Sequence, residues 1–150
     1  MKQRVPRRAW STPHAAGHQR RLLIEDDRPA LAISDFSLFH DAGFDVAFCS
    51  GPGTDPRACP LLLGQPCSLV TGADVVLHGL DPALGIAAAI KREHPGLPVV
   101  IDSRGEADGA DPVPAGCVRL SYPCSVSGQI DALLRAAASS RRAAVSPRLP

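Results

Sequence analysis

The sequence predicts a single α/β domain with a doubly wound, five-stranded parallel sheet and helices on both of its faces. Three observations support this prediction. Short apolar runs of strand length alternate with helical segments along the middle of the chain. Polar residues follow directly on most of these runs, as expected where buried parallel strands end at a sheet edge. The chain has 150 residues, of which 45% are hydrophobic, and this is enough for one domain with its own core.

The first two strand and helix units occupy residues 22–64. The first strand is "LLIEDD". We expect a helix after it, with Asp27 as its cap and Pro29 in its first turn, and this helix continues through "ALAISDFSLFHDAG" to Gly43. The second strand is "FDVAFC", residues 44–49. The next segment, "SGPGTDPRACPLLLGQPCSLVTG", contains so many Gly and Pro residues that we expect only a short helix near residues 57–64.

The alternation continues in the second half of the chain. "ADVVLHG" (73–79) predicts the third strand, Asp81 and Pro82 predict the cap and first turn of a helix, and "ALGIAAAIKREH" its body. "LPVVIDS" (97–103) predicts the fourth strand, and the polar "RGEADGADPVPAG" favours a loop in place of the next helix. "CVRLSY" predicts the fifth strand. The last helix shows apolar residues at helical spacing: Val126, Ile130, Leu133, Leu134 and Ala137.

Charge divides the chain into three segments. We expect flexible basic tails over residues 1–20 and 139–150 and one domain over residues 21–138. All fifteen acidic residues lie between residues 22 and 134, and no apolar run there or in the tails is long enough to span a bilayer. We therefore expect a cytoplasmic protein without membrane contact. Because Trp10 is the one aromatic residue among the tail charges, nucleic-acid binding is the weaker interpretation of the tails.

Polar or small residues stand at the ends of four predicted strands. Because the carboxyl ends of parallel strands meet at one edge of a sheet, we expect these residues to surround a common site. They are Asp26, Asp27, His78, Gly79, Asp102, Ser103, Tyr122 and Pro123.

These motifs, in this order, resemble a response-regulator receiver domain of two-component signalling over roughly residues 21–138. "DDRPAL" is similar to the acid pair and helix start of that family, and "AGFDV" to the exit from its first helix. "HPGLPVVIDS" is similar to the approach to the fourth strand, and "RLSYPCSVSGQIDALLRA" to the fifth strand, its proline and the final helix. The resemblance implies a flavodoxin-like fold with strand order 2-1-3-4-5.

The resemblance also implies roles for the residues at the strand ends. Receiver domains bind Mg²⁺ with an acid pair, accept phosphate on an aspartate after the third strand, and contact the phosphoryl oxygens with a hydroxyl and a lysine. The matching positions are Asp26 and Asp27 for the acid pair, His78 or Gly79 for the acceptor, Ser103 for the hydroxyl and Tyr122 for the lysine.

Two of these positions lack the chemistry of phosphorylation. Neither His78 nor Gly79 is an aspartate, and Tyr122 supplies no fixed positive charge at neutral pH. We therefore interpret the strand ends as a degenerate phosphorylation site, with weak Mg²⁺ binding at most and no other cofactor. Asp81 is an alternative phosphate acceptor, but its position also fits a helix cap. His78 could carry phosphate as a phosphohistidine, but a histidine at a strand end also fits a packed side chain.

Five cysteines leave a second class of function open. Cys49, Cys59 and Cys67 lie close together in the chain, but their spacing matches no zinc motif. Buried or free thiols, a disulfide or redox switch, and a metal site all remain alternatives for these three residues. For Cys117 we expect packing in the core.

We expect an atypical, stand-alone receiver-like domain that is not an enzyme and that acts through phosphorylation-independent protein–protein interaction. No nucleophile and base pair, phosphate loop or complete metal triad can be assembled from the strand ends. The resemblance to receiver domains implies a contact surface that comprises the fourth strand, the segment after it and the fifth strand, including Tyr122 and residues 108–116. The protein partner is unidentified, a homodimer is one option, and the alternative function is a redox or metal sensor through Cys49, Cys59 and Cys67.

Overall fold

Five parallel strands form one sheet in the order β2-β1-β3-β4-β5, as predicted. A computed structural model of the chain describes residue 10 and residues 19–102, 113–120 and 124–145, with the backbone alone for Pro29 and residues 140–145. The strands are β1 (Arg21–Glu25), β2 (Asp45–Cys49), β3 (Val75–His78), β4 (Val99–Ile101) and β5 (Cys117–Arg119). β4 is shorter than the predicted strand over residues 97–103.

Four α-helices accompany the strands in the described part of the chain: α1 (Pro29–Asp41), α2 (Ser68–Thr71), α3 (Ile86–Glu93) and α4 (Val126–Val145). Helix α4 continues past residue 138, where the sequence predicted the boundary between the domain and a basic tail. Helix α1 begins at Pro29 as expected, but its N-cap is Arg28 and no side chain caps it, so the prediction of Asp27 as the cap was wrong.

The connection between β2 and β3 differs from its prediction. In place of one helix near residues 57–64 there are two 3₁₀ turns, Pro56–Ala58 and Pro60–Leu63, and the short helix α2 follows them. Proline begins each turn because its φ angle suits a first helical position, but the second proline breaks a longer helix. Gly64, at φ 71°, then ends the second turn in a left-handed conformation that glycine adopts without strain.

The helix after β3 also begins later than predicted. The Oδ1 atom of Asp81 accepts a hydrogen bond from the backbone N–H of Ala83 at 2.9 Å, which confirms its predicted role as a cap. The turn that it caps is a 3₁₀ turn, Pro82–Leu84, and Gly85 at φ 72° separates this turn from α3. Two short helical segments therefore replace one continuous helix.

Successive strand residues point to opposite faces of the sheet and enter two apolar layers. Leu22 and Ile24 of β1 belong to a layer that α1 and α4 cover, with Phe39 and Leu133 fully buried in it. Leu23, between them, belongs to a second layer on the other face, which α2 and α3 cover. A sheet that is buried on both faces explains why its strands have nearly continuous apolar sequences.

Trp10 lies against the amino-terminal end of the sheet. Its ring packs on the α2–α3 layer, and the guanidinium carbon of Arg21 lies 5.2 Å from the ring centroid. A Cβ atom at Gly72 would lie 2.8 Å from the Cδ1 atom of this ring, which is closer than real Cβ contacts. The indole therefore occupies space that only a glycine at position 72 leaves open.

None of the helices in the described part of the chain combines the length and the apolar character that are needed to cross a bilayer.

Candidate functional site

The candidate site begins with a buried pair formed by the last residues of β1 and β3. The parallel register places Glu25 beside His78 and His78 beside Ile101, at the carboxyl edge of the sheet. The Nδ1 atom of His78 lies 2.8 Å from Oε1 of Glu25, and the two side chains are only 4% and 5% exposed. Because an ionised carboxylate only accepts hydrogen bonds, the ring carries its hydrogen on Nδ1 and donates it to Glu25.

Asp26 follows directly and is held by a cation from its own segment. The Nε atom of Arg28 donates to Oδ1 of Asp26 at 3.0 Å, and a terminal nitrogen of the same guanidinium donates to Oδ2 at 2.8 Å. The backbone N–H of Arg28 donates to Oδ1 at 2.8 Å as well. The Asp26 side chain is 5% exposed and that of Arg28 is 35% exposed, so the carboxylate is buried beneath its partner.

Gly79 brings the backbone of the β3 end close to Glu25, the last residue of β1, and to Asp26, which follows it. Its N–H donates to the carbonyl oxygen of Glu25 at 2.7 Å. A Cβ atom at this position would lie 3.2 Å from Oδ2 of Asp26 and 3.3 Å from the same carbonyl, which is unusually tight. Glycine at position 79 therefore permits the close packing of the strand end, and the position has little room for a side chain of its own.

A wider group of carboxylates surrounds this strand end. Burial, together with the negative charges of Asp26 and Asp102, raises the pKa of Asp35 on α1 to about 6, although Arg28 acts in the opposite direction. Arg28 in turn has a raised pKa, mainly because its side chain hydrogen-bonds to Asp26 and because Asp102 and Asp27 are nearby. One arginine thus offsets part of the charge of several acids.

The structure places the predicted site residues differently from the sequence. Asp26 and His78 are buried at the carboxyl edge, but Asp27 is exposed, and the second buried acid is Glu25, which we had not predicted as part of the site. Ser103 and Tyr122 lie outside the described residues, so their predicted roles are not tested.

Two further residues of the site were also absent from the prediction. The sequence signal for Arg28 was its position two residues after an aspartate and directly before Pro29, where the backbone is extended. Asp35 had no such signal, because its place near Asp26 depends on how α1 packs against the sheet.

The donor set at the strand end does not suit the divalent cation that receiver domains bind. Both oxygens of Asp26 accept hydrogen bonds from Arg28, and Glu25 accepts from His78. Mg²⁺ requires several oxygen ligands in near-octahedral geometry. Among residues 19–102, 113–120 and 124–145 and Trp10, no three His, Cys, Asp or Glu side chains are arranged to hold a metal ion.

All five cysteines lie in described residues and none of them is in a disulfide. Cys67 is buried in the layer under α2 and α3, and Cys49, Cys59 and Cys117 pack against the same layer. Burial raises the pKa of the Cys117 thiol, although Lys91 acts to lower it. The packing of Cys49, Cys59, Cys67 and Cys117 against this layer is what small core residues show, and it gives no support to the alternative of a redox or metal sensor.

Comparison with known proteins gives matches among solved structures only, since no family model and no curated protein matches the chain. A response-regulator receiver domain protein from Clostridium thermocellum shares 19% identity at a TM-score of 0.59, covering 83% of this chain and 98% of its own. The N-terminal domain of a response regulator/sensory box/GGDEF protein from Carboxydothermus hydrogenoformans has 16% identity and the same TM-score, with 83% and 99% covered.

A third similar structure is a pilus assembly-related protein from Burkholderia pseudomallei, at 24% identity and a TM-score of 0.55, with 85% of this chain and 96% of that chain covered. The similarity to all three extends over nearly the whole length of the other chains. Together with the strand order β2-β1-β3-β4-β5, these similarities show that the chain has the receiver fold of response regulators.

Proposed function

We propose that this chain is an atypical receiver domain, located in the cytoplasm, that takes part in signal transduction by binding another protein and does not switch by phosphorylation. The proposal rests above all on the buried pair of His78 and Glu25. A histidine ends β3, and its ring donates to Glu25 at 2.8 Å with 4% of its side chain exposed. A phosphodonor must reach its acceptor atom in line, and a side chain so deeply buried does not offer that access.

The charges around the pair support the same proposal. Transfer of a phosphoryl group to a carboxylate depends on cations that neutralise the charge spread over the phosphoryl oxygens. Asp26 and Glu25 already have partners within the chain, and the nearby Asp35 and Asp102 add negative charge. Among the described residues, a further anion would therefore meet several negative charges, and the nearby guanidinium of Arg28 is already bound to Asp26.

A protein partner fits the apolar residues that the sheet edge presents. In the described part of the chain, β5 is one of the two edge strands, and Val118 on it is 66% exposed. Val126, in the first turn of α4, is 50% exposed. Exposed apolar side chains on an edge strand suit contact with another protein or with a second copy of this chain. Of the residues between β4 and β5 that the sequence also assigned to this surface, 108–112 lie outside the described residues.

The proposal is tested by treating the full chain with a small phosphodonor and Mg²⁺ and measuring its intact mass. We expect no added phosphoryl group, whereas a conventional receiver domain in the same reaction gains one. Proteins captured from a lysate of the native host should be the same before and after the treatment. Stoichiometric phosphorylation that disappears in an Asp81→Asn or His78→Gln variant would show that the chain retains an acceptor and would contradict the proposal.

A further inference from the structure

We infer that Arg28 is a built-in counter-ion that takes the place of the divalent cation at the strand end. This role of Arg28 concerns the same strand end as the proposed function, and it rests on the proposal that the strand end is a receiver site that does not switch by phosphorylation. Its main evidence is the contact between Arg28 and Asp26, whereas the proposed function rests above all on the pair of His78 and Glu25. It would make the charge state of the site independent of Mg²⁺.

The contact between Arg28 and Asp26 is a fork in which each carboxylate oxygen receives a guanidinium hydrogen bond, at 3.0 Å and 2.8 Å. The backbone N–H of Arg28 adds a third bond at 2.8 Å. Arginine presents its donors in a rigid plane that matches a carboxylate, and charge-assisted pairs of this kind are the strongest in proteins. The carboxylate is thus both neutralised and fixed in orientation.

The local chain favours this geometry. Arg28 precedes Pro29, which keeps the backbone of Arg28 extended at φ −99° and ψ 104°, and the helix begins immediately afterwards. The arginine is only two residues from Asp26, so the backbone N–H and the guanidinium reach the same carboxylate. A pair this close in sequence closes a very small loop, so forming it costs little loop-closure entropy.

The surrounding charges explain why a cation is needed there. The hydrogen bond to Asp26, and then the charges of Asp26, Asp102 and Asp27, raise the pKa of Arg28 against the effect of burial. The pKa of Asp35 is raised to about 6 by burial and by Asp26 and Asp102. Without the guanidinium, these carboxylates would repel one another across the carboxyl edge of the sheet. In a conventional receiver domain a divalent cation provides this compensation, and here a side chain of the protein itself provides it.

An arginine in this position also excludes the metal ion. The guanidinium stays protonated at every pH that a protein tolerates, so it does not give way by losing its charge. It contacts both oxygens of Asp26 and repels a second cation. A hard divalent ion would have to displace it and still find further oxygen ligands.

The test compares the thermal unfolding of the full chain in chelator, in Mg²⁺ and in Mn²⁺, and follows binding through the paramagnetic resonance signal of unbound Mn²⁺. For the wild type we expect one melting temperature in all three conditions and no depletion of the Mn²⁺ signal. Arg28→Gln should lower the melting temperature by roughly 5 °C in chelator. Added Mn²⁺ should raise it again in a saturable way, because the ion now compensates the carboxylates.

Arg57→Gln is the matched control. Arg57 follows Asp55 by two residues and donates to it through the same backbone and Nε atoms, but this pair is exposed. It should therefore leave the melting temperature within about 1 °C and create no response to the ion. Saturable stabilisation of the wild type by Mg²⁺ or Mn²⁺ would overturn the inference, as would an Arg28→Gln variant that responds no more than the wild type.

Failure of this inference and failure of the proposed function give different results. A wild type that binds Mn²⁺ but gains no phosphoryl group would refute the role of Arg28 alone. A wild type that is phosphorylated without a response of its melting temperature to Mg²⁺ would refute the proposed function alone.

Discussion

Replacing His78 by leucine removes the hydrogen-bond partner of Glu25 and keeps an apolar side chain at the end of β3. In the wild type, Nδ1 of His78 lies 2.8 Å from Oε1 of Glu25, with 5% of the Glu25 side chain exposed. The variant leaves this carboxylate buried without its histidine. Removing one member of a buried pair costs about 3–5 kcal/mol, because the remaining charge has lost both water and its partner. We therefore expect His78→Leu to lower the free energy of unfolding by about 3 kcal/mol, the lower end of this range.

The size of this effect makes it measurable in equilibrium unfolding by urea, followed by circular dichroism. A domain of this size has a total stability of about 5–15 kcal/mol. With a urea dependence of about 1–3 kcal/mol per molar, a loss of 3 kcal/mol moves the midpoint to lower urea by roughly 1–3 M. The slope should stay unchanged, because the variant retains the same fold.

A double-mutant cycle separates the pair from the rest of the packing. Glu25→Leu should also destabilise the domain, since it leaves a buried imidazole without its acceptor. Glu25→Leu combined with His78→Leu should be more stable than the sum of the two single effects implies, by about 2 kcal/mol or more, because neither polar group is then left alone. If His78→Leu costs less than about 1 kcal/mol, or if the two effects simply add, the reasoning that a buried pair holds the strand ends together is wrong.

The remaining predictions concern a carboxylate on α1 and the tryptophan at the other end of the sheet. The pKa of Asp35 is raised to about 6 in the folded chain, above its ordinary value of 3.8, so its contribution to stability is largest below pH 4 and is lost as the pH rises through 6. Asp35→Asn should remove this pH dependence and raise the free energy of unfolding at pH 7.5 by roughly 1 kcal/mol, after allowance for solvent screening of a partly exposed group. The measurement is urea unfolding across this pH range, and equal pH profiles for the wild type and the variant would contradict the prediction. Gly72→Ala should displace Trp10, the one tryptophan of the chain, so that its fluorescence emission shifts to longer wavelength and acrylamide quenches it more strongly. Gly96→Ala, where a Cβ meets nothing within 4 Å, is the control, and an unchanged spectrum in Gly72→Ala would show that the indole does not occupy this position.

The strands were predictable because their sequences carry the signal of burial. A run such as "LLI" is buried on both faces of the sheet, so it appears in the sequence as continuous apolar residues. The positions of the short helices were less predictable. Gly85 divides the segment after β3 into a 3₁₀ turn and α3, although an unbroken helix through Ala83 agrees equally well with the apolar periodicity.

The acids of the site show a second limit of sequence reasoning. Glu25, Asp26 and Asp27 follow one another, and their side chains differ little in chemistry. Which two turn inward depends on where β1 ends and on its register with β3, and a shift of one residue exchanges the faces. The sequence favoured Asp26 and Asp27, whereas the register buries Glu25 and Asp26 and leaves Asp27 exposed.

By itself, the sequence determined the alternation of strands and helices, and therefore a parallel sheet whose carboxyl ends gather polar residues. It also determined that neither His78 nor Gly79 provides the aspartate that a receiver domain phosphorylates. Only the tertiary structure decided which residues hydrogen-bond to the two buried acids at the carboxyl edge of the sheet. Glu25 and His78 are 53 residues apart in the chain, and they meet because two parallel strands are in register where both side chains are buried. In that environment a carboxylate is stable only with a partner, and the fold provides His78 for one acid and Arg28 for the other.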